Sequence, residues 1–164
     1  MALYAANSRN AAIVSAQNLT TVNKCLLSLS ATTIGVHRAF VYEFEVGTDG
    51  LPNSTDCAVV WEVHRFATAI GTGNAGTITT LDSADSTLDT SVVTVNHTIE
   101  PTTMTTQTAL FSLAANQRAS YRWVVNPGGP GELVVPATNL SGLAFEARSS
   151  TYALTAIASI FYRT

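Results

Sequence analysis

The sequence predicts an all-β protein, a two-sheet antiparallel sandwich of jelly-roll-like topology with an extended N-terminal arm. Three observations carry that expectation. Apolar and polar residues alternate with period two over most of the chain, as they do in strands buried on one face. Clusters of Gly, Pro, Asn and Asp cut the alternating runs into short segments, the spacing expected of a sandwich. Thr and β-branched residues are abundant throughout, and that composition disfavours helix.

Residues 1–24 follow neither the strand nor the helix period, and they are expected as an arm preceding a single β-sandwich domain over 25–164. Within this segment SRNAAIVSAQNL is one of two stretches that could be helical; the other is SADSTLD, where Ser83 could cap a turn. A strand is expected over 26–33. The clearest alternation is at 34–46, with Ile34, Val36, Phe40, Tyr42, Phe44 and Val46 on one side and Gly35, His37, Glu43 and Glu45 on the other. Arg38 interrupts the apolar side. After the loop GTDGLPNSTD, CAVVWEVHRFA groups Val59, Trp61, Val63 and Ala67 opposite Glu62 and His64. These two runs read as adjacent antiparallel strands.

Further strands are expected at 76–81, 91–99, 107–114, 119–125, 131–136, 142–148 and 152–163, separated by GTGNAG, EPTTM, NPGGPG and NLSG. The last strand alternates Leu154, Ala156, Ala158, Ile160 and Tyr162, and its alanines imply close approach of another sheet or chain. There is no repeat of fixed period and no linker long enough to separate two domains.

The chain has 164 residues, with 8 Lys plus Arg against 11 Asp plus Glu, and charged residues are 12% of the total. That is about half the ~25% usual in soluble domains. A monomer of this mass exposes roughly 7,800 Å², so its surface is sparsely charged. The remainder is neutral polar, or apolar area hidden against a neighbouring chain. A single lysine, Lys24, and seven scattered arginines form no basic stripe, so nucleic acid is not expected as a partner. No apolar run approaches the ~18 residues of a spanning helix and the start carries no secretory signal pattern, so neither a membrane role nor secretion is expected. Cys25 and Cys57 are expected to be free thiols.

Gly71, Gly73 and Gly76 spell G-x-G-x-x-G, but strand-like Thr77–Leu81 follows where a dinucleotide site needs a helix, so a strand-to-strand loop is expected. His37, His64 and His97 lack metal-ligand spacing. Asp82, Asp85 and Asp89 lack the glycine and the alternation of a calcium loop and read as a solvated turn. No G-x-S-x-G elbow is present. Glu43, Glu45, Glu62, Glu100, Glu132 and Glu146 could pair as a glycosidase acid and base, yet Glu43 and Glu45 share one face of one strand. No enzyme activity, cofactor or metal is expected.

In residues 116–137, Arg118 and Arg122 interleave with Tyr121 and Trp123, a mixture common at protein interfaces. The same pattern also fits aromatic core residues beside an arginine that faces water. The segment NQRASYRWVVNPGG, followed by GELVVPATNLSGLAFEARS and a final alternating strand, resembles small β-sandwich structural proteins of tailed-bacteriophage virions, in particular capsid decoration or cement proteins. The resemblance covers the C-terminal third of the chain and extends loosely to YEFEVGTDG and AVVWEVHRF. It implies a structural virion protein, assembled in the host cytoplasm, that sits on the capsid surface as a homotrimer and bridges major capsid protein subunits. Tyr4, Arg9, Arg118, Tyr121 and Arg122 are the expected assembly contacts. A second expectation is a tail or fibre module that recognises host-surface carbohydrate through GTDGLPNSTD and NPGGPGE.

Overall fold

A computed structural model of the chain describes residues 2–9, 17–31, 38–85, 91–102, 109–151 and 155–164. These form thirteen strands: β1 (Leu3–Asn7), β2 (Gln17–Asn18), β3 (Lys24–Ala31), β4 (Ala39–Thr48), β5 (Ala58–Phe66), β6 (Thr72–Ala75), β7 (Ile78–Thr80), β8 (Ser91–Ile99), β9 (Phe111–Asn116), β10 (Tyr121–Val124), β11 (Leu133–Val135), β12 (Gly142–Arg148) and β13 (Thr155–Arg163). Sheet A has the order β10-β4-β13-β1-β7, with β11 beside β4 and β2 beside β13. Sheet B has the order β6-β8-β3-β12-β5-β9. Every strand pairing is antiparallel. The chain changes sheet between β2 and β3, β3 and β4, β4 and β5, β6 and β7, β7 and β8, β9 and β10, β11 and β12, and β12 and β13.

The alternation expected from sequence builds the core. Leu27, Leu29, Trp61, Val63, Val93, Val95, Leu143 and Phe145 of sheet B meet Tyr4, Val41, Phe44, Val46, Ile160 and Tyr162 of sheet A, all buried. Each such side chain contributes about 1.5–3 kcal/mol when fully withdrawn from water. Ala156 and Ala158 are fully buried at the sheet interface, the close approach that their size suggested.

Four expectations are corrected. Residues 3–7 are not an arm: β1 is an interior strand of sheet A, paired with β13 on one side and β7 on the other. The described part of the run at 34–46 and the run at 57–67 are not neighbours, because β4 lies in sheet A and β5 in sheet B. Period two says which face is buried, and it reads the same for hairpin partners as for strands on opposite layers. Phe40 is not a core residue. Phe161 pairs with Glu43 and Tyr162 with Val41, so Tyr42 is an extra residue that reverses the side-chain parity before it. Finally, the 71–76 loop contains the edge strand β6.

The second candidate helix begins as a turn at Ser83 and Ala84, and its remainder, residues 86–89, lies outside the described residues. The first lies mostly outside them too, apart from Ser8 and Arg9 after β1, Gln17 and Asn18, which form β2, and Leu19. His37 and Asp89 are also outside, so the parts of the histidine and aspartate groupings that rest on them have no structural reading here.

Candidate functional site

The five expected assembly residues fall in different environments. Tyr4 is 2% exposed and stacks on Tyr162 with ring centroids 5.4 Å apart, so it belongs to the core and not to a contact surface. Arg9 is exposed and pairs with Asp49 at 3.3 Å. Arg118 and Arg122 are exposed too, holding Asp56 at 2.8 Å and Glu43 at 2.7 Å. Arg118 lowers the Asp56 carboxyl by hydrogen bonding, and the Arg122 guanidinium is pushed further up by its bond to Glu43.

Tyr121 packs against the core, the second of the arrangements that the sequence allowed, while Arg122 beside it is exposed. The tyrosine is half-buried, stacks on Phe111 at 5.4 Å, and packs against the core through Phe44 at 6.4 Å. Phe44 also stacks on Trp123 at 5.3 Å and meets Phe111 edge-on at 5.2 Å. β9 of sheet B and β10 of sheet A are edge strands, and this aromatic array closes the space between them. Trp61 is buried, and one face of the half-buried Trp123 is taken by Phe44.

The two outer faces of the sandwich differ. On sheet B, Cys25, Phe66, Ala144 and Ile70 form a small apolar cluster. Segments 67–71 and 99–102 lie over it: Thr102 bonds Ala67 and Ala69, and the Glu100 carboxylate accepts the Cys25 N–H at 2.8 Å. Sheet A carries no such cover among the described residues. Its register sets Val134, Phe40, Arg163 and Leu3 in one row, and Val124, Glu43, Phe161, Ala5 and Thr79 in the next. Beyond these come Arg122, Glu45, Ser159 and Asn7. The face therefore grades from apolar to polar. Phe40, Phe161, Leu3, Ala5, Ile157 and Val134 are half-exposed and lie outside the core cluster, while Val124 is 55% exposed. Arg163 lies over the Phe40 ring at 4.1 Å and grips Glu132 through two hydrogen bonds of 2.8 and 2.6 Å, which pull that carboxyl down.

Beneath the cover on sheet B, three of the six glutamates weighed from sequence come together. Asn23 donates to Glu62 at 2.8 Å, Ser112 donates to it at 3.2 Å, and Arg148 and His64 lie at 3.7 and 3.5 Å. Burial raises Glu62, but these partners outweigh it and hold the carboxyl below the usual range. Glu100 is raised by burial despite the Cys25 N–H and Lys24 at 3.3 Å. Glu146 is 2% exposed, and neither of its oxygens has a well-formed hydrogen bond. Burial, then the charges of Glu100 and Glu62, push it up to about 8, with the Asn23 side chain alone acting the other way. The sequence analysis named Glu146 only among six candidate carboxylates, and nothing in the alternation of β12 signals that its outer face is covered.

Of this trio only Glu146 is buried, while Glu62 and Glu100 keep partial exposure. Among the described residues no group of three or more His, Cys, Asp or Glu side chains is arranged to hold a metal ion. His97 is buried and bonded to Ser28 at 3.0 Å, and burial pulls its imidazole below the usual histidine range. Cys25 and Cys57 are both free, and burial raises the Cys25 thiol. Asp82 makes a turn, its side chain accepting from Ala84 at 2.8 Å. Gly71 and Gly76 flank the edge strand β6, Gly73 lies within it, and strand β7 follows in place of a helix. Comparison with protein-family models, with curated proteins and with solved structures returned no match for the chain.

Proposed function

We propose that the protein is a structural virion subunit that decorates and stabilises a bacteriophage capsid from outside, bridging major capsid protein subunits as a homotrimer. The observation that carries the reading is the outer face of sheet A. It sets the half-exposed Phe40, Phe161, Leu3 and Val134 beside the exposed Val124 with no strand or loop of the described residues over them, whereas sheet B covers its own outer face with its own chain. Contiguous exposed apolar area of this kind marks an interaction surface. The sparse charge supports the same reading, since a face that packs against a lattice avoids the several kcal/mol that each unpaired buried ion costs.

Cosedimentation with expanded heads of the parent phage tests the proposal. The wild type is expected to pellet with heads saturably. Phe161→Asp, which alters the outer face and leaves the core intact, is expected to weaken binding at least about tenfold, as burial of one large apolar side chain implies. A folded wild type that stays in the supernatant at all head concentrations overturns it.

A further inference from the structure

We infer that the β9 edge of sheet B is a pairing site for a second copy of the chain, joined antiparallel to its own β9 about a two-fold axis at Ala114. Among the described residues the main strand orders end at β10, β7, β6 and β9, and the first three of these are blunted in ways that proteins use against stray pairing. β6 has four residues and a register shift against β8. β7 has three residues, and β10 has four, including the charged Arg122. β9 has none of these protections. Its six residues, FSLAAN, contain no charge, proline or glycine, and they run in unbroken register along β5 from Phe111 to Asn116.

The direction of the free backbone groups follows from one bond. The Gln117 N–H donates to the Cys57 carbonyl at 2.9 Å. Backbone groups alternate sides along an antiparallel strand, so 111, 113, 115 and 117 face β5 while 112, 114 and 116 face outward. A two-fold at Ala114 sets Ser112 opposite the partner's Asn116 and Ala114 opposite its own copy. All outward groups then meet their complements. The Asn116 carbonyl already accepts from Ala119 and keeps a second lone pair for this bond.

The side chains allow the same register. On the outer face only Ser, Ala and Asn are opposed, with no like charges and no bulk. On the inner face Leu113 meets the partner's Ala115, and the half-exposed Phe111 and Leu113 gain cover. Phe111 and Ala115 already pack on the core, so pairing extends an existing apolar layer. The other occupant of such an edge is an extended peptide from an unrelated chain. β9 favours its own copy because its outward positions are complementary under the two-fold without any exchange of charge.

The native mass of Ala114→Pro tests this. Because the Ala114 N–H points away from β5, proline there removes a bond to the partner and none within the subunit. The wild type is expected to contain an even number of chains, and the variant half that number with unchanged circular dichroism. Halving reads this contact alone. The variant's mass, three chains or one, reads the homotrimer separately, since a three-fold combined with this two-fold closes a hexamer. If proline prevents folding, Ala114→Lys replaces it, because it opposes two like charges across the axis. In the wild type the Ser112 and Ala114 amides should resist hydrogen exchange. An odd-numbered or single-chain wild type, a folded variant of undiminished mass, or fast exchange at both amides overturns the proposal.

Discussion

Glu146 shows how an ordinary residue acquires an unusual property from its surroundings. The run GLAFEAR alternates, so Leu143, Phe145 and Ala147 point to the core and Glu146 to the other face. Sequence logic would leave that carboxylate in water. The cover formed by 67–71 and 99–102 removes the water, and Glu62 and Glu100 add like charge, so the proton stays on up to a pH of about 8. In the unfolded chain the group titrates near its ordinary 4.5. Between those values the folded state binds one more proton than the unfolded state, so stability falls as pH rises, by about 1.4 kcal/mol per pH unit from this group. Glu146→Gln keeps the shape, carries no charge, and offers an N–H donor to the Asn23 Oδ1, which has none. Urea unfolding at pH 5 and pH 8 should therefore show a steep loss for the wild type and a much smaller one for the variant. The variant should be the more stable at pH 8 by several kcal/mol. Parallel pH profiles for the two proteins would remove this account of the trio.

Among the elements, the long alternating runs were legible because burial on one face leaves a mark at every second position: β3, β5, β8, β12 and β13 lie close to where the sequence put them. What the pattern lacked was anything set by distant chain. The bulge at Tyr42 is one case, since a single inserted residue sends Phe40 to the outer face while Phe44 and Val46 stay in the core. β1 is another. LYAAN is short and weakly apolar, and its place between β13 and β7 depends on strands far along the chain. The buried ring of Tyr4 and its stack on Tyr162 give this placement a measurable weight. Tyr4→Ala should cost about 3–5 kcal/mol in denaturant unfolding, the range for removing a large buried ring. A loss below about 0.5 kcal/mol, as at unremarkable surface positions, would return residues 3–7 to the status of an arm.

For the whole molecule, charge is the property that joins composition to assembly. The surface is 7981 Å², close to the expectation for a monomer of this mass, so the low charge is not offset by an unusually small exterior. The charges present are largely spent on one another: Arg9 with Asp49, Arg118 with Asp56, Arg122 with Glu43 and Glu45, and Arg163 with Glu132. What sheet A then offers a neighbour is mainly apolar side chains and neutral hydroxyls. Association through such a face draws on loss of apolar surface, which ions screen little and which excluded salts such as sulfate strengthen. Head binding should accordingly change by less than about threefold between 50 and 500 mM sodium chloride and tighten in sodium sulfate of equal ionic strength. The binding isotherm on heads in the two salts measures this directly. A steep decline with sodium chloride would move the contact from the Phe40–Phe161 end of sheet A to its Arg122–Glu45 end, where the charge pairs lie.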